Sequence, residues 1–273
     1  MKKVLAMVMT LVMVLAMVGC GKSKDFDFTS ADGIAGAIVV AEQESAGEAV
    51  VLEDEFFAEV DYTAVDLQSK ALMEVSSGTA DAAVVDYVMS IGSIGEDTDY
   101  EDLVLVDGVE FSPEEYGIAF RKGSDLTYQV NKAIAALKDN GKLEEIAKKY
   151  KLEDLLLGDA DFEEIDQADS DWAYIQDKGE LIIGITLFAP MNYTDDNGEL
   201  IGFETEFAKA VCEELGVKAK FQEISWAAKE TELEAKNIDC IWNGMTITEE
   251  RKQTMSISIP YMRNKQVLVV KEK

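Results

Sequence analysis

The chain of 273 residues contains no histidine, three cysteines and three arginines. Without histidine there is no Ser-His-Asp or Cys-His relay and no His-ligated zinc or haem, because those chemistries use a side chain that titrates near neutrality. Cys20, Cys212 and Cys240 are too few for a disulfide framework or a four-cysteine metal site. Positive charge is scarce as well. The 25 Lys and Arg against 54 Asp and Glu give a formal charge of −29, which argues against nucleic acid, since holding a polyanion depends on basic side chains that displace its counterions. No cofactor and no metal is implied.

Hydrophobic residues at 48% and charged residues at 29% are ordinary for a folded globular chain. The length suits one large domain or two lobes of about 100–150 residues each, and the acidity is a common route to solubility.

Met1-Lys2-Lys3, an uncharged run from Val4 to Val18, and Gly19-Cys20 have the basic start, short apolar core and small-residue end of a secretion signal. The run is marginal for a permanent membrane span. A cysteine directly after the small residue resembles a bacterial lipobox, with Met17 in place of the usual leucine. The expectation is a signal over residues 1–19, lipidation at Cys20 and a tether over 20–30, giving an extracytoplasmic domain anchored to the cell membrane. Ordinary cleavage near Gly19 is the alternative.

From Ala37 onward, short β-branched runs alternate with amphipathic segments, as in βαβ units. Strands are expected at Ile38–Val40, Ala82–Val85, Leu103–Val106, Leu181–Ile183, Ile238–Ile241 and Val267–Val270. Val130, Ile134 and Leu137 fall on one helical face. So do Phe207, Val211 and Leu215, with Gly216 as a C-terminal stop. Residues 158–171 carry seven acidic side chains and no basic one, which reads as a solvated linker.

Two blocks carry a family resemblance. Leu181-Ile-Ile-Gly-Ile-Thr-Leu-Phe-Ala-Pro through Gly202-Phe203, then Leu233 through Arg251 and Ser258-Ile-Pro-Tyr261, resemble the opening half of bacterial extracellular solute-binding proteins of family 3, the polar amino-acid receptors of ABC importers. Val40–Ala49, Ser77–Asp86 and Tyr116–Asp125 look like the closing half. The halves stand in reversed order. The resemblance therefore implies an α/β, two-lobed periplasmic-binding-protein (type II, venus-flytrap) fold that is circularly permuted. Residues 31–115 would form lobe 2, and 116–157 the crossover and C-terminal-type helices of lobe 1. The acidic linker would follow at 158–171, with the main part of lobe 1 at 172–265 and a second crossover strand at 266–273. A domain-swapped dimer of the same halves is the competing arrangement to a monomer.

By the same resemblance, Arg251 clamps a ligand carboxylate, a task suited to the planar guanidinium, with Gly244 and Thr246 as further donors. Thr246 and Glu249 could instead form a capping box. Asp86 would pair with the ligand ammonium, Ser45 would complete the lobe 2 side, and Phe188 and Trp226 would flank the ligand side chain. Asn192 and Asn243 are possible polar contacts, and Trp242 is pocket or core. Glu44 departs from the pattern, since glycine is usual there. Cys212 and Cys240 are buried thiols or a disulfide. The implied function is hinge-closing capture of a free amino acid or close derivative for an ABC permease and ATPase. A sensor without transport, or a dehydratase-like enzyme using Glu44, Glu232 or a lysine, are the alternatives.

Overall fold

A computed structural model describes residues 25–166 and 170–273. The expected signal and the lipidation residue Cys20 lie outside the described residues. In chain order the strands are β1 (Ile38–Glu42), β2 (Asp61–Val65), β3 (Ala82–Asp86), β4 (Leu103–Arg121), β5 (Glu180–Ile185), β6 (Tyr193–Thr194), β7 (Leu200–Ile201), β8 (Lys218–Glu223), β9 (Cys240–Thr246), β10 (Met255–Ile257) and β11 (Met262–Lys271). The helices are α1 (Ala46–Glu53), α2 (Gln68–Ser77), α3 (Tyr87–Ser93), α4 (Leu126–Asp139), α5 (Lys142–Lys149), α6 (Asp171–Lys178), α7 (Phe203–Leu215), α8 (Lys229–Glu234) and α9 (Glu249–Thr254).

The main sheet holds two arrays with one strand plan. The first runs β2-β1-β3-β11-β4 and the second β8-β5-β9-β4-β10. In each, the first three strands are parallel and the last two junctions antiparallel. One strand, β4, serves both arrays. β4 lends its start to the first and its end to the second, while β11 pairs with it from Met262↔Tyr116 to Lys271↔Leu103. The result is a two-lobed α/β molecule whose lobes are joined through an antiparallel strand pair.

Local chemistry accounts for the helices. Val130, Ile134 and Leu137 are all buried on α4, and Phe207 and Val211 are buried on α7. Gly216 ends α7 in the left-handed region, at φ 70°, where its N–H caps Cys212 and Glu213 carbonyls. The cores follow the same logic. Ile34, Val39, Phe57, Val84 and Leu268 close one face of the first array. Ala119, Trp226, Leu233, Ile241 and Met255 close one face of the second.

Two expectations need correction, and one alternative is decided. The strand expected from Ile238 begins at Cys240, because Asp239 turns its carboxylate back onto the Ile182 amide at 2.7 Å and onto Lys178 at 2.6 Å. The acidic run is not wholly solvated. Phe162 packs edge-on against Tyr128, and Asp171, which opens α6, is buried beside Arg121 at 3.2 Å. Cys212 and Cys240 are both free and buried. Burial in an apolar setting pushes the Cys212 thiol up to about 12, so it stays protonated.

Candidate functional site

Parallel strands present their carboxyl ends to a crevice where ligands can bind. Here the segment after β1 and the end of β9 meet at one cleft of about 610 Å³, lined by Glu44, Ser45, Glu114, Lys229, Thr246 and Arg251 among others, while the expected ammonium partner Asp86 is not among its lining residues.

One wall is cationic. Thr248 caps α9, accepting a hydrogen bond from the Arg251 amide at 3.1 Å. The expected Thr246–Glu249 capping box is therefore replaced by a cap two residues on. Arg251 Nη1 donates to the Thr246 carbonyl at 2.7 Å, and Nη2 to the Glu44 carbonyl at 3.4 Å. Burial lowers the guanidinium's affinity for its proton. Lys229, three residues after Trp226, is buried with its ammonium 4.8 Å from that indole ring. Desolvation first, and then the neighbouring Arg251, bring its pKa down to about 8.

The opposite wall is acidic. Asp86 at the end of β3 is buried and accepts hydrogen bonds from the amides of Gln68, Asn264 and Gln266. Glu114 on β4 shares two of those donors, Asn264 Nδ2 at 2.9 Å and Gln266 Nε2 at 3.0 Å, and accepts from Thr246 Oγ1 at 3.1 Å. Desolvation and the Asp86 charge raise Glu114 to about 7, and burial likewise raises Asp86. Glu42, which ends β1, is buried too, and desolvation with the Asp86 charge raises it to about 8.

Among the described residues, neither Arg251 nor Lys229 has a carboxylate within 4 Å, and none of Glu42, Asp86 and Glu114 has a basic group within that distance. Of these groups Arg251, Lys229 and Glu114 line the cleft, where none of the three is in an ion pair among the described residues. Besides the Thr246–Glu114 hydrogen bond, the two sides meet at the Glu44 carbonyl oxygen. It accepts from Trp226 Nε1 at 3.1 Å, Lys229 Nζ at 3.3 Å and Arg251 Nη2 at 3.4 Å.

Several expected contacts have other employment. The Gly244 amide donates to Glu204 Oε1 at 2.8 Å rather than facing the cleft. Gly244 is required at that place, because its φ is 56° and an added Cβ would lie 2.9 Å from Phe188 Cζ. Phe188 therefore packs beneath the strand. Asn243 Oδ1 accepts from the Thr186 amide at 2.8 Å and from Asn192 Nδ2 at 3.1 Å. Asn192 also donates to Glu204 and accepts from Thr205, so both asparagines hold the β5–β9 region together from within. Trp242 is core, edge-on to Phe207 at 5.0 Å. Ser45 caps α1 by accepting from Glu48 N at 3.1 Å while it lines the cleft.

Glu114, Lys229 and Glu42 were absent from the expected site. Lys229 had a usable signal, its i, i+3 spacing from Trp226. Glu114 and Glu42 had none, being two acidic residues among 54.

Sequence comparison matches the last third of the chain, which carries Lys229, Thr246 and Arg251. The profile of bacterial extracellular solute-binding proteins, family 3, matches residues 181–273. The L-cystine-binding protein TcyJ of Escherichia coli (strain K12) is 35% identical over 88 residues, 32% of this chain and 33% of that protein. A probable amino-acid ABC transporter-binding protein of Haemophilus influenzae is 37% identical over 84 residues, 31% of this chain and 33% of that protein. A solved substrate-binding protein of an ABC uptake transporter from Streptococcus pneumoniae, with bound histidine, is 35% identical over 32% of this chain and 36% of that chain, with a TM-score of 0.31. The chain thus aligns with about a third of the length of the curated relatives it matches. Residues 181–273 are thus similar to the bacterial extracellular solute-binding proteins, family 3.

Proposed function

We propose that the protein is a binding protein, not an enzyme, that captures a free amino acid between its lobes and delivers it to an ABC permease and ATPase. The observation that carries this reading is the unpaired charge on the two walls. A zwitterion spans it, with its carboxylate toward Arg251, Lys229 and Thr246, and its ammonium toward Asp86 and Glu114. Neither wall alone satisfies both ends. Ligand therefore has higher affinity for the closed form and draws the hinge equilibrium toward it.

The paired β4 and β11 strands are the hinge in this reading. The family's halves follow one another in permuted order, with lobe 2 over 31–115 and most of lobe 1 over 172–265. The molecule acts as a monomer, held to the membrane by lipid on Cys20. Relatives named for binding L-cystine and other amino acids support the ligand class.

A thermal-shift panel of the twenty amino acids tests this. Ligand at about 100 times its Kd adds about 2.7 kcal/mol, which raises the midpoint by roughly 5–10 °C for a chain near this size. A panel without any shift contradicts amino-acid capture.

A further inference from the structure

Lys229 opens α8, is 4% exposed and lines the cleft. Its nitrogen donates to two main-chain carbonyls, those of Glu44 and Trp226, both at 3.3 Å, and among the described residues it has no third acceptor. A lysine ammonium carries three N–H donors, whereas the neutral amine carries two and a lone pair. Two carbonyls therefore satisfy the donors of the neutral amine fully and those of the ammonium only in part. Arg251 Nη2 bonds the same Glu44 oxygen at 3.4 Å, so the amine and the guanidinium stand no further apart than twice that distance. The charged groups facing Lys229 are Arg251 from α9, Glu230 beside it on α8, Glu44 after β1 and Glu42 on β1. None of those carboxyls comes within 4 Å of the amine. Glu48, Glu53, Asp54, Glu114 and Glu250 complete the titratable lining of the cleft. Burial and the neighbouring guanidinium outweigh the carboxyls, and the pKa of the amine falls to about 8. A lysine made partly neutral by desolvation and an adjacent cation is a nucleophile toward carbonyl carbon.

We propose that Lys229 makes the cleft a covalent, reversible capture site for 2-oxo acids, with Arg251 holding the acid's carboxylate while the Lys229 amine forms an imine with the carbonyl carbon beside it. In such an acid the carboxylate and the carbonyl are directly bonded, which matches a guanidinium and an amine gathered on one oxygen. The Nζ lone pair adds to the carbonyl carbon, the C–O π pair becomes an alkoxide, and the alkoxide takes a proton from the nitrogen. The carbinolamine then loses its hydroxyl and the remaining nitrogen proton as water, leaving the C=N bond. Addition of water reverses both steps, and neither oxidant nor reductant takes part. An α-amino acid has no ketone for Lys229 to attack, so the inference goes beyond amino-acid capture and shares with it only the cationic wall.

Reductive trapping tests this. The full chain is incubated with pyruvate and cyanoborohydride at about pH 7.5, and the alkylated lysines are located by peptide mass spectrometry. Lys229, with its pKa of about 8, should be alkylated at least about tenfold faster than exposed lysines, because about a quarter of such an amine is neutral there against roughly a thousandth of an ordinary lysine. Equal labelling of Lys229 and exposed lysines overturns the inference. The preference for Lys229 should shrink about tenfold in R251A, and by a similar factor when acetaldehyde, which has no carboxylate for Arg251 to hold, replaces pyruvate. A preference undiminished by both changes shows an activated amine without a 2-oxo acid site and overturns the inference as well. The acetaldehyde arm uses the wild-type chain, so it decides the matter even if R251A fails to fold. The amino-acid thermal panel reads the capture function separately: selective labelling with a flat panel removes amino-acid capture and leaves this site, and a thermal shift without selective labelling does the reverse.

Discussion

The indole nitrogen of Trp226 lies 3.1 Å from the carbonyl oxygen of Glu44, across 182 positions of sequence and from one lobe to the other. Lys229 and Arg251 converge on the same oxygen. What aims that carbonyl is the backbone of Glu44, whose φ is 60°, in the left-handed region that side chains other than glycine occupy at a cost.

Replacing Glu44 by glycine tests that strain. The left-handed conformation costs an L-residue roughly 1–2 kcal/mol, and glycine's extra freedom in the unfolded chain returns about 0.5–1 kcal/mol of it. Glu44→Gly should raise the unliganded melting point by a few degrees at this chain length. A lower melting point would show that the glutamate side chain contributes more than its backbone costs.

Lys229 should matter most for the pH profile of binding. Its pKa of about 8 in the empty cleft means that it holds a charge for the ligand carboxylate below pH 8 and loses it above. Amino-acid affinity is expected to fall from pH 8 to 9 in the wild-type chain. In Lys229→Met, affinity is about tenfold weaker at pH 7 and this fall is absent. An unchanged fall in the variant would assign it to another group.

Arg121 is a structural counterpart to the cleft arginine. It donates to Asp171 at 3.2 Å and to the Leu233 and Ile238 carbonyls, and it stands 3.9 Å from Asp239. Removing one partner from a buried ionic cluster costs about 3–5 kcal/mol. Arg121→Met should unfold at markedly lower denaturant concentration while its amino-acid selectivity is unchanged. Equal midpoints for variant and wild type would contradict that role.

Stability itself should fall as pH rises toward 8. Burial raises Glu204 to about 7, alongside Glu114 at about 7 and Glu42 at about 8. For a carboxyl raised on folding, the folded state binds the proton more tightly. Its stabilisation is complete below the unfolded value near 4.5 and is lost as pH climbs through the folded value. Each proton involved is worth about 1.4 kcal/mol per pH unit within that window. Melting points measured from pH 5 to 8 should decline, most steeply above pH 6. Constant or rising values would mean these carboxyls are ionised in the folded protein.

The strands and helices that sequence exposed are those with one clear apolar face. β1, β3, β5 and β11 read directly from their β-branched runs, and α4 and α7 from their spacing. β2 and β8 did not, because they are the outermost strands of their arrays and Asp61–Val65 and Lys218–Glu223 contain no buried residue. The site was legible where a backbone motif surrounds the residue. Arg251 and Thr246 line the cleft in a recognisable run. Asn192 and Asn243 lie in similar runs, yet their amides turn inward, a choice decided by Thr186, Thr205 and Glu204, which no local pattern joins. Glu42 and Glu114 each come near Asp86 only through pairing of β1, β3, β11 and β4, so one acidic residue in 54 could not announce itself.

The most direct measurement is calorimetric titration of wild type and Arg251→Ala with whichever amino acid gives the largest thermal shift. A carboxylate that loses a buried guanidinium partner should lose about 2–5 kcal/mol, so the Kd should weaken at least thirtyfold while the circular dichroism spectrum and unliganded melting point stay close to wild type. A Kd within threefold of wild type in a folded Arg251→Ala protein would contradict carboxylate capture at the cationic wall.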